Sequence, residues 1–319
     1  MKTVKQTLSI LLTATMLFLA VSVCFVSFAA DASGGCGSGL TWTYSEASKT
    51  LTISGNGAMN DYAVTTTSAL VAKKDRPTDA PWYSHYADVT RIYIKNGVTK
   101  IGDNAFRRFN KLTQIELPGS VETIGSSAFR FCSSLVSASF NYGLKSIGGA
   151  AFEYCSALKT FNIPDSVESI ADYAFYKCPV KDLVLGRNVT TIGSYAFSEC
   201  KLVNVTMYNK VEVIGQSAFA KQNGNTKNVI SHVYYCGTQA QWNSINIGND
   251  NAPLTGAALH FNSTAPTTQP ATQPTTQPTT QSTILPTILV PQGDNGTQQS
   301  FFERILQMIL DFFARLFGR

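Results

Sequence analysis

The chain has 319 residues, of which 44% are hydrophobic and 14% charged, and a formal net charge of +5. That balance excludes a charged disordered tail and a bundle of membrane spans, and +5 is weak for a nucleic-acid binder, which needs its Lys and Arg gathered into a stripe. Three His (His85, His232, His260) leave little room for a His-based metal or acid–base centre, whereas seven Cys suggest a disulfide or zinc framework until their positions are read.

Length alone suggests two domains of about 150 residues; the order of segments suggests otherwise. Residues 1–32 read as a secretory signal peptide. Lys2 and Lys5 precede an apolar run from Leu8 to about Ala30, and small residues follow at Ser27-Phe28-Ala29 and Ala30-Asp31-Ala32. The alternative is an uncleaved anchor helix, because the run is long enough to span a bilayer.

The strongest signal is an internal repeat. The phrase Ile-Gly-x-x-Ala-Phe recurs with its Ile at Ile101, Ile124, Ile147, Ile170, Ile192 and Ile214, with Ala171 replacing the Gly once. The spacing is 23 residues three times and then 22 twice. Within one copy, Ile115-Glu116-Leu117 and Val121-Glu122-Thr123-Ile124 read as two short strands, joined by the turn Pro118-Gly119-Ser120. Ser126 to Cys132 reads as a short helical or 3-10 turn. No single copy can bury its apolar set, but stacked copies can, so the repeats over 98–229 form a solenoid of parallel rungs. The Ile and Phe ladders are its core. Glu122, Lys145 and Glu168 share one outward position and alternate in sign as register support.

Beyond the repeats, Pro266, Pro270, Pro274 and Pro278 recur every four residues within a Thr/Pro/Gln-rich linker over 263–300. Such a segment builds no core and reads as a disordered, semi-rigid stalk, reaching roughly 120 Å at about 3.1 Å per residue. Residues 301–319 read as an amphipathic helix, with Phe302, Ile305, Ile309, Phe312, Phe313 and Leu316 on the apolar side and Glu303, Arg304, Gln307, Asp311 and Arg315 opposite. It fits a membrane surface or a partner; docking back on the solenoid or self-association is the alternative.

The full phrase Leu-x-x-Ile-x-Leu-Pro-x-Ser-Val-x-x-Ile-Gly-x-x-Ala-Phe, seen from Leu112 to Phe129 and again, slightly varied, from Leu158 to Phe175, resembles the BspA-type leucine-rich repeats of bacterial surface proteins. Cys36-Gly-Ser-Gly-Leu-Thr-Trp-Thr-Tyr and Leu51-Thr-Ile-Ser-Gly resemble that family's N-terminal hairpin. Tyr234-Tyr235-Cys236-Gly237-Thr238, Gln241-Trp242 and Ala258-Leu259-His260-Phe261 resemble its C-terminal cap. The resemblance implies a leucine-rich repeat fold with an N-terminal cap and first rung over 33–97, repeats over 98–229 and a C-terminal cap over 230–262. It also implies a secreted or surface-displayed protein, in some members linked to adhesion.

Cys132, Cys155, Cys178 and Cys200 each follow the repeat Phe by three residues, with Phe109 and Gln222 in that place in the first and last copies. Because the period sets their spacing, they read as one core-facing ladder, not a zinc motif. Free thiols are expected, with one or two disulfides or a metal as alternatives. Cys36 and Cys236 belong to opposite caps and should not pair. His232 alone falls on an exposed face and reads as solvated. Neither a catalytic nor a metal or cofactor site is expected, since no nucleophile, base and orienting carboxylate stand at readable spacing.

A partner-binding face is expected on the outward positions of the Leu-x-x-Ile-x-Leu strands: Arg91, Tyr93, Gln114, Glu116, Ser137, Ser139, Thr160, Asn162, Asp182, Val184, Asn204, Thr206, His232 and Tyr234. Its centre reads as small and uncharged, with aromatic residues only at the ends. The sequence therefore points to a non-enzymatic protein-interaction or adhesion module, whose partner is a host, matrix or envelope protein and not nucleic acid. The alternative is an envelope scaffold assembled through the terminal helix.

Overall fold

The computed structural model describes residues 31–65, 76–221 and 230–264. The expected signal peptide up to residue 30, the linker from residue 265, the helix over 301–319 and Gln222 lie outside the described residues. In chain order the first strands are β1 (Ala32–Gly37), β2 (Leu40–Ser45), β3 (Thr50–Gly55), β4 (Gly57–Ala58) and β5 (Arg91–Ile94), with a 3-10 turn over Tyr83–His85. β1, β2 and β3 form an antiparallel meander, as the period-two alternation dictates: Leu40, Trp42 and Tyr44 are buried and Thr41 and Thr43 exposed. β5 then pairs parallel with β3, and this pairing starts the solenoid.

Each following rung supplies two strands. They are β6 (Val98–Ile101), β7 (Gln114–Glu116), β8 (Thr123–Ile124), β9 (Ser137–Ser139), β10 (Ser146–Ile147), β11 (Thr160–Phe161) and β12 (Ser169–Ile170). Next come β13 (Asp182–Val184), β14 (Thr191–Ile192), β15 (Asn204–Tyr208), β16 (Val213–Ile214) and β17 (His232–Cys236). The last rung is completed by α1 (Gln239–Asn243), β18 (Asn246–Ile247), α2 (Ala252–Thr255) and β19 (Ala258–Phe261). The even-numbered strands from β4 to β18 form one eight-stranded sheet, and from β6 to β18 each Ile is parallel to the next. The segment read as the C-terminal cap thus continues the coil, because β17, β18 and β19 pair parallel with β15, β16 and β17.

The connecting turns carry the densest backbone bonding. Ala128, Arg130 and Cys132 make the i→i−3 bonds of a 3-10 turn, to Gly125, Ser127 and Phe129. The alternate amides, Ser127, Phe129 and Phe131, donate across to Gly149, Ala151 and Glu153 of the next rung at 2.8–2.9 Å. Turning every second amide outward needs a left-handed residue twice per rung, here Ser127 (φ 56°) and Phe131 (φ 63°). Such residues cost about 1 kcal/mol or more each, offset by inter-rung bonds worth about 0.5–1.5 kcal/mol apiece.

Inside, Phe106, Phe129, Phe152, Phe175, Phe197 and Phe219 are buried and stack at 5.2–5.5 Å between centroids. Trp82 closes the first end of this ladder, 5.6 Å from Phe106 and donating its indole N–H to Ala105 O at 2.7 Å. At the other end the buried Asn251 side chain accepts from Phe219 N and donates to Gly215 O and Gly248 O. The four ladder cysteines are buried free thiols, donating to Phe106 O, Phe129 O, Phe152 O and Phe175 O at 3.1–3.2 Å. Cys36 and Cys236 are also free. Ala171 stands where its neighbours are Gly, after a rung with glycine at two successive places, Gly148-Gly149. The Gly positions lie close against the preceding rung's backbone: a Cβ on Gly125 would come within 2.6 Å of Asp103 N.

Candidate functional site

The outward positions expected to form one partner-binding face are divided among three sheets. β5 belongs to the N-terminal sheet, β7, β9 and β11 form a second, and β13, β15, β17 and β19 a third. The break between β11 and β13 has a local cause. Two residues separate Cys155 from Leu158, but only one, Pro179, which has no N–H, separates Cys178 from Val180. The shorter link shifts the strand that follows, and the ladder resumes only with Asp182 opposite Asn204.

The structure exposes Arg91, Tyr93, Gln114, Glu116, Ser139, Thr160, Asn162 and Asp182 on this face and half-buries Ser137, Val184, Asn204, His232 and Tyr234. Thr206 is a correction: it is buried, with 3% of its surface exposed. β15 is paired along both edges, so the larger Val184 and Tyr234 stand directly beside Thr206 in register and cover its small side chain. Among the outward positions, Asn204 donates to Asp182 Oδ1 at 2.7 Å. His232 Nδ1 lies 3.1 Å from His260 Nε2, a neighbour that strand order alone did not reveal.

Three further residues belong to the centre of the face. At the sheet break, Lys159, Lys181 and Lys201 line a groove of about 590 Å³ together with Thr160, Phe161, Pro179 and Asp182. None of the three lysines forms an ion pair among the described residues. The centre is therefore basic, not uncharged. The missed signal was the residue after the first apolar position of the strand, where Lys159 and Lys181 follow Leu158 and Val180. The same position is Val136 and Val203 in other rungs, and both are exposed. With Tyr93, 47% exposed, they add apolar contact area to the face.

The turn side carries a second feature that the repeat phrase hid, because its residues fall on an x position (Tyr173, Tyr195) or just after the repeat Phe (Phe131, Tyr154). Phe131 and Tyr154 stack at 5.1 Å, as do Tyr173 and Tyr195 at 4.7 Å. Lys177 Nζ lies 5.0 Å from the Tyr154 ring centroid, and the Arg107 and Arg130 guanidinium groups lie 5.0 and 4.9 Å from that of Phe131. Glu153 is buried beside them and pairs with Arg130 at 2.6 Å. These contacts are mutual and cross-rung, so they brace the turns. The sign-alternating position resolves into one pair, Lys145–Glu122 at 3.3 Å; both side chains are more than half exposed, so it contributes little.

Comparison with known proteins extends this picture. The model of the BspA type leucine rich repeat region matches six copies over residues 82–190 and 168–255, more than half of the chain. No curated protein matches. Among solved structures, a leucine-rich repeat protein from Eubacterium ventriosum is 19% identical, with 65% of this chain and 44% of that chain covered and a TM-score of 0.39. The chain thus spans less than half the length of that protein. A leucine rich repeat protein of T. pallidum is 24% identical over 58% of this chain and 86% of its own, with a TM-score of 0.39. A leucine rich cell surface protein from Faecalibacterium prausnitzii is 16% identical over 68% and 98%, with a TM-score of 0.33. On the strength of its six matched copies, the chain belongs to the BspA-type leucine-rich repeat family.

Proposed function

We propose that this is an exported, surface-associated protein-interaction module, and not an enzyme, that binds a protein partner on the outward face of its odd-numbered strands. One observation carries the reading. The face presents exposed Val136 and Val203, with Tyr93 toward its N-terminal end, and a shallow groove lined by three lysines that form no ion pair among the described residues. Stacked rungs build extended shallow surfaces of this kind, suited to a macromolecule more than to an enclosed small substrate. The lysines favour a partner with acidic groups among its contact residues. Export rests on the signal-like residues 1–32, and display on the linker and terminal helix read from the sequence.

The test measures binding of the full chain to a panel of extracellular-matrix proteins and to the cell's own envelope fraction. The Tyr93→Ala/Glu116→Ala/Asn162→Ala variant should weaken any binding found by at least about thirtyfold, the scale of one hot-spot residue. Unchanged affinity in a folded variant overturns the assignment of the face. Deleting 300–319 addresses display: a module should leave the cell and still bind, whereas a scaffold should lose its assembly.

A further inference from the structure

We infer that His232 and His260 form a two-histidine site for a late first-row divalent ion such as Zn²⁺ or Ni²⁺, at the C-terminal end of the outward face. The two residues are 28 positions apart and read as unrelated in the sequence. The parallel pairing of β17 with β19 places them on one side of the sheet, in diagonal register: His232 stands opposite Ala258, and His260 opposite Tyr234.

Three features of the pair suit a metal. First, His232 Nδ1 and His260 Nε2 are 3.1 Å apart and their ring centroids 5.2 Å apart. Two imidazole nitrogens at about 2.0–2.1 Å from one ion are themselves separated by roughly 3.0–3.4 Å at ordinary coordination angles. Second, the Tyr234 ring stacks on His260, with centroids 4.8 Å apart and planes at 16°. Stacking orients the imidazole through its face and leaves its Nε2 edge directed at His232, where the two nitrogens share a proton in a hydrogen bond that an ion would replace. Third, the register neighbours of His232 are the small Ala258 on the side of His260 and Asn204 on the other, so no bulky side chain stands directly opposite it.

Imidazole nitrogen is a preferred ligand of zinc, nickel and copper ions. Among the described residues no group of three His, Cys, Asp or Glu is placed to hold a metal. The ion would therefore keep its other positions for water or for a ligand brought by a binding partner, the open arrangement found where a metal exchanges ligands.

The experiment is calorimetric titration of ZnCl₂ and of NiCl₂ into the full chain, with thermal melts to confirm folding of each variant. The wild-type chain should show one saturable ion per chain that His232→Ala and His260→Ala each weaken at least tenfold. Because a chelate needs both nitrogens, the double variant should bind no more weakly than either single one. Cys236, half-buried on the same strand, provides the control, and Cys236→Ser should keep wild-type affinity. No saturable binding by the wild type, unchanged affinity in either histidine variant, or loss of binding in Cys236→Ser would each overturn the site.

Discussion

Phe152→Ala tests the claim that the aromatic ladder is the spine of the molecule. Phe152 is fully buried and lies between Phe129 and Phe175, 5.2 Å from each with planes within 8° and 4°, and against Phe140 at 5.5 Å. Phe219, at the end of the ladder, has one ring neighbour among the described residues, Phe197 at 5.5 Å. Truncating a buried Phe to Ala costs about 3–5 kcal/mol through lost transfer energy and the cavity left behind. Each aromatic pair adds about 0.5–1.5 kcal/mol beyond its buried area, so the two additional pairs should place Phe152→Ala about 1–3 kcal/mol above Phe219→Ala. A central lesion also separates two blocks of rungs that stabilise each other only through their neighbours. Urea unfolding of the full chain, followed by far-ultraviolet circular dichroism, gives both values by linear extrapolation. Phe152→Leu should fall between wild type and Phe152→Ala. An equal or smaller loss for Phe152→Ala than for Phe219→Ala would refute the spine.

Three other outcomes follow from the geometry. Burial pushes the Cys200 thiol up to about 12 and Cys36 to about 11, and raises Cys155 and Cys178 well above the ordinary value. At pH 8 a thiol-specific disulfide reagent should therefore modify half-buried Cys236 first and the ladder only on unfolding; fast native labelling of the ladder would contradict the core assignment. His85 stacks on Tyr44 at 4.0 Å, and burial lowers its pKa with Asp88 opposing, so the unfolded chain binds this proton more readily than the folded one. Stability should fall as the pH drops from about 6.5 through the lower folded value, and His85→Phe should flatten that limb in pH-dependent melts; an unchanged limb argues against it. Asn251→Ala removes the acceptor of Phe219 N and the donor to Gly215 O and Gly248 O, so it should cost about 2–3 kcal/mol in urea unfolding. A loss below about 0.5 kcal/mol, the scale of a surface substitution, would mean that Asn251 does not close the end of the coil.

What could be read from the residues alone was whatever the period repeats. In a solenoid each rung sits on its predecessor in the same register, so a recurring Ile, Phe or Cys must become a ladder, and one copy is enough to tell inward from outward. The rungs, both core ladders and the cysteine ladder were legible for this reason, as were the parallel strands. The outward face was legible at Tyr93 and Glu116, where the strand alternation is undisturbed.

What the tertiary structure decided lies between rungs that are not copies of each other. Thr206 is buried because Val184 and Tyr234, from neighbouring strands, flank it. Lys159, Lys181 and Lys201 surround one groove because a link shortened by one residue breaks the sheet there. His232 meets His260 because residues 230–262, read as a cap, wind one more parallel turn. In each case the position depends on cross-strand register and side-chain size, long-range quantities that no local pattern encodes. Among the described residues the rungs form one coil, and the features particular to it arise where its period slips.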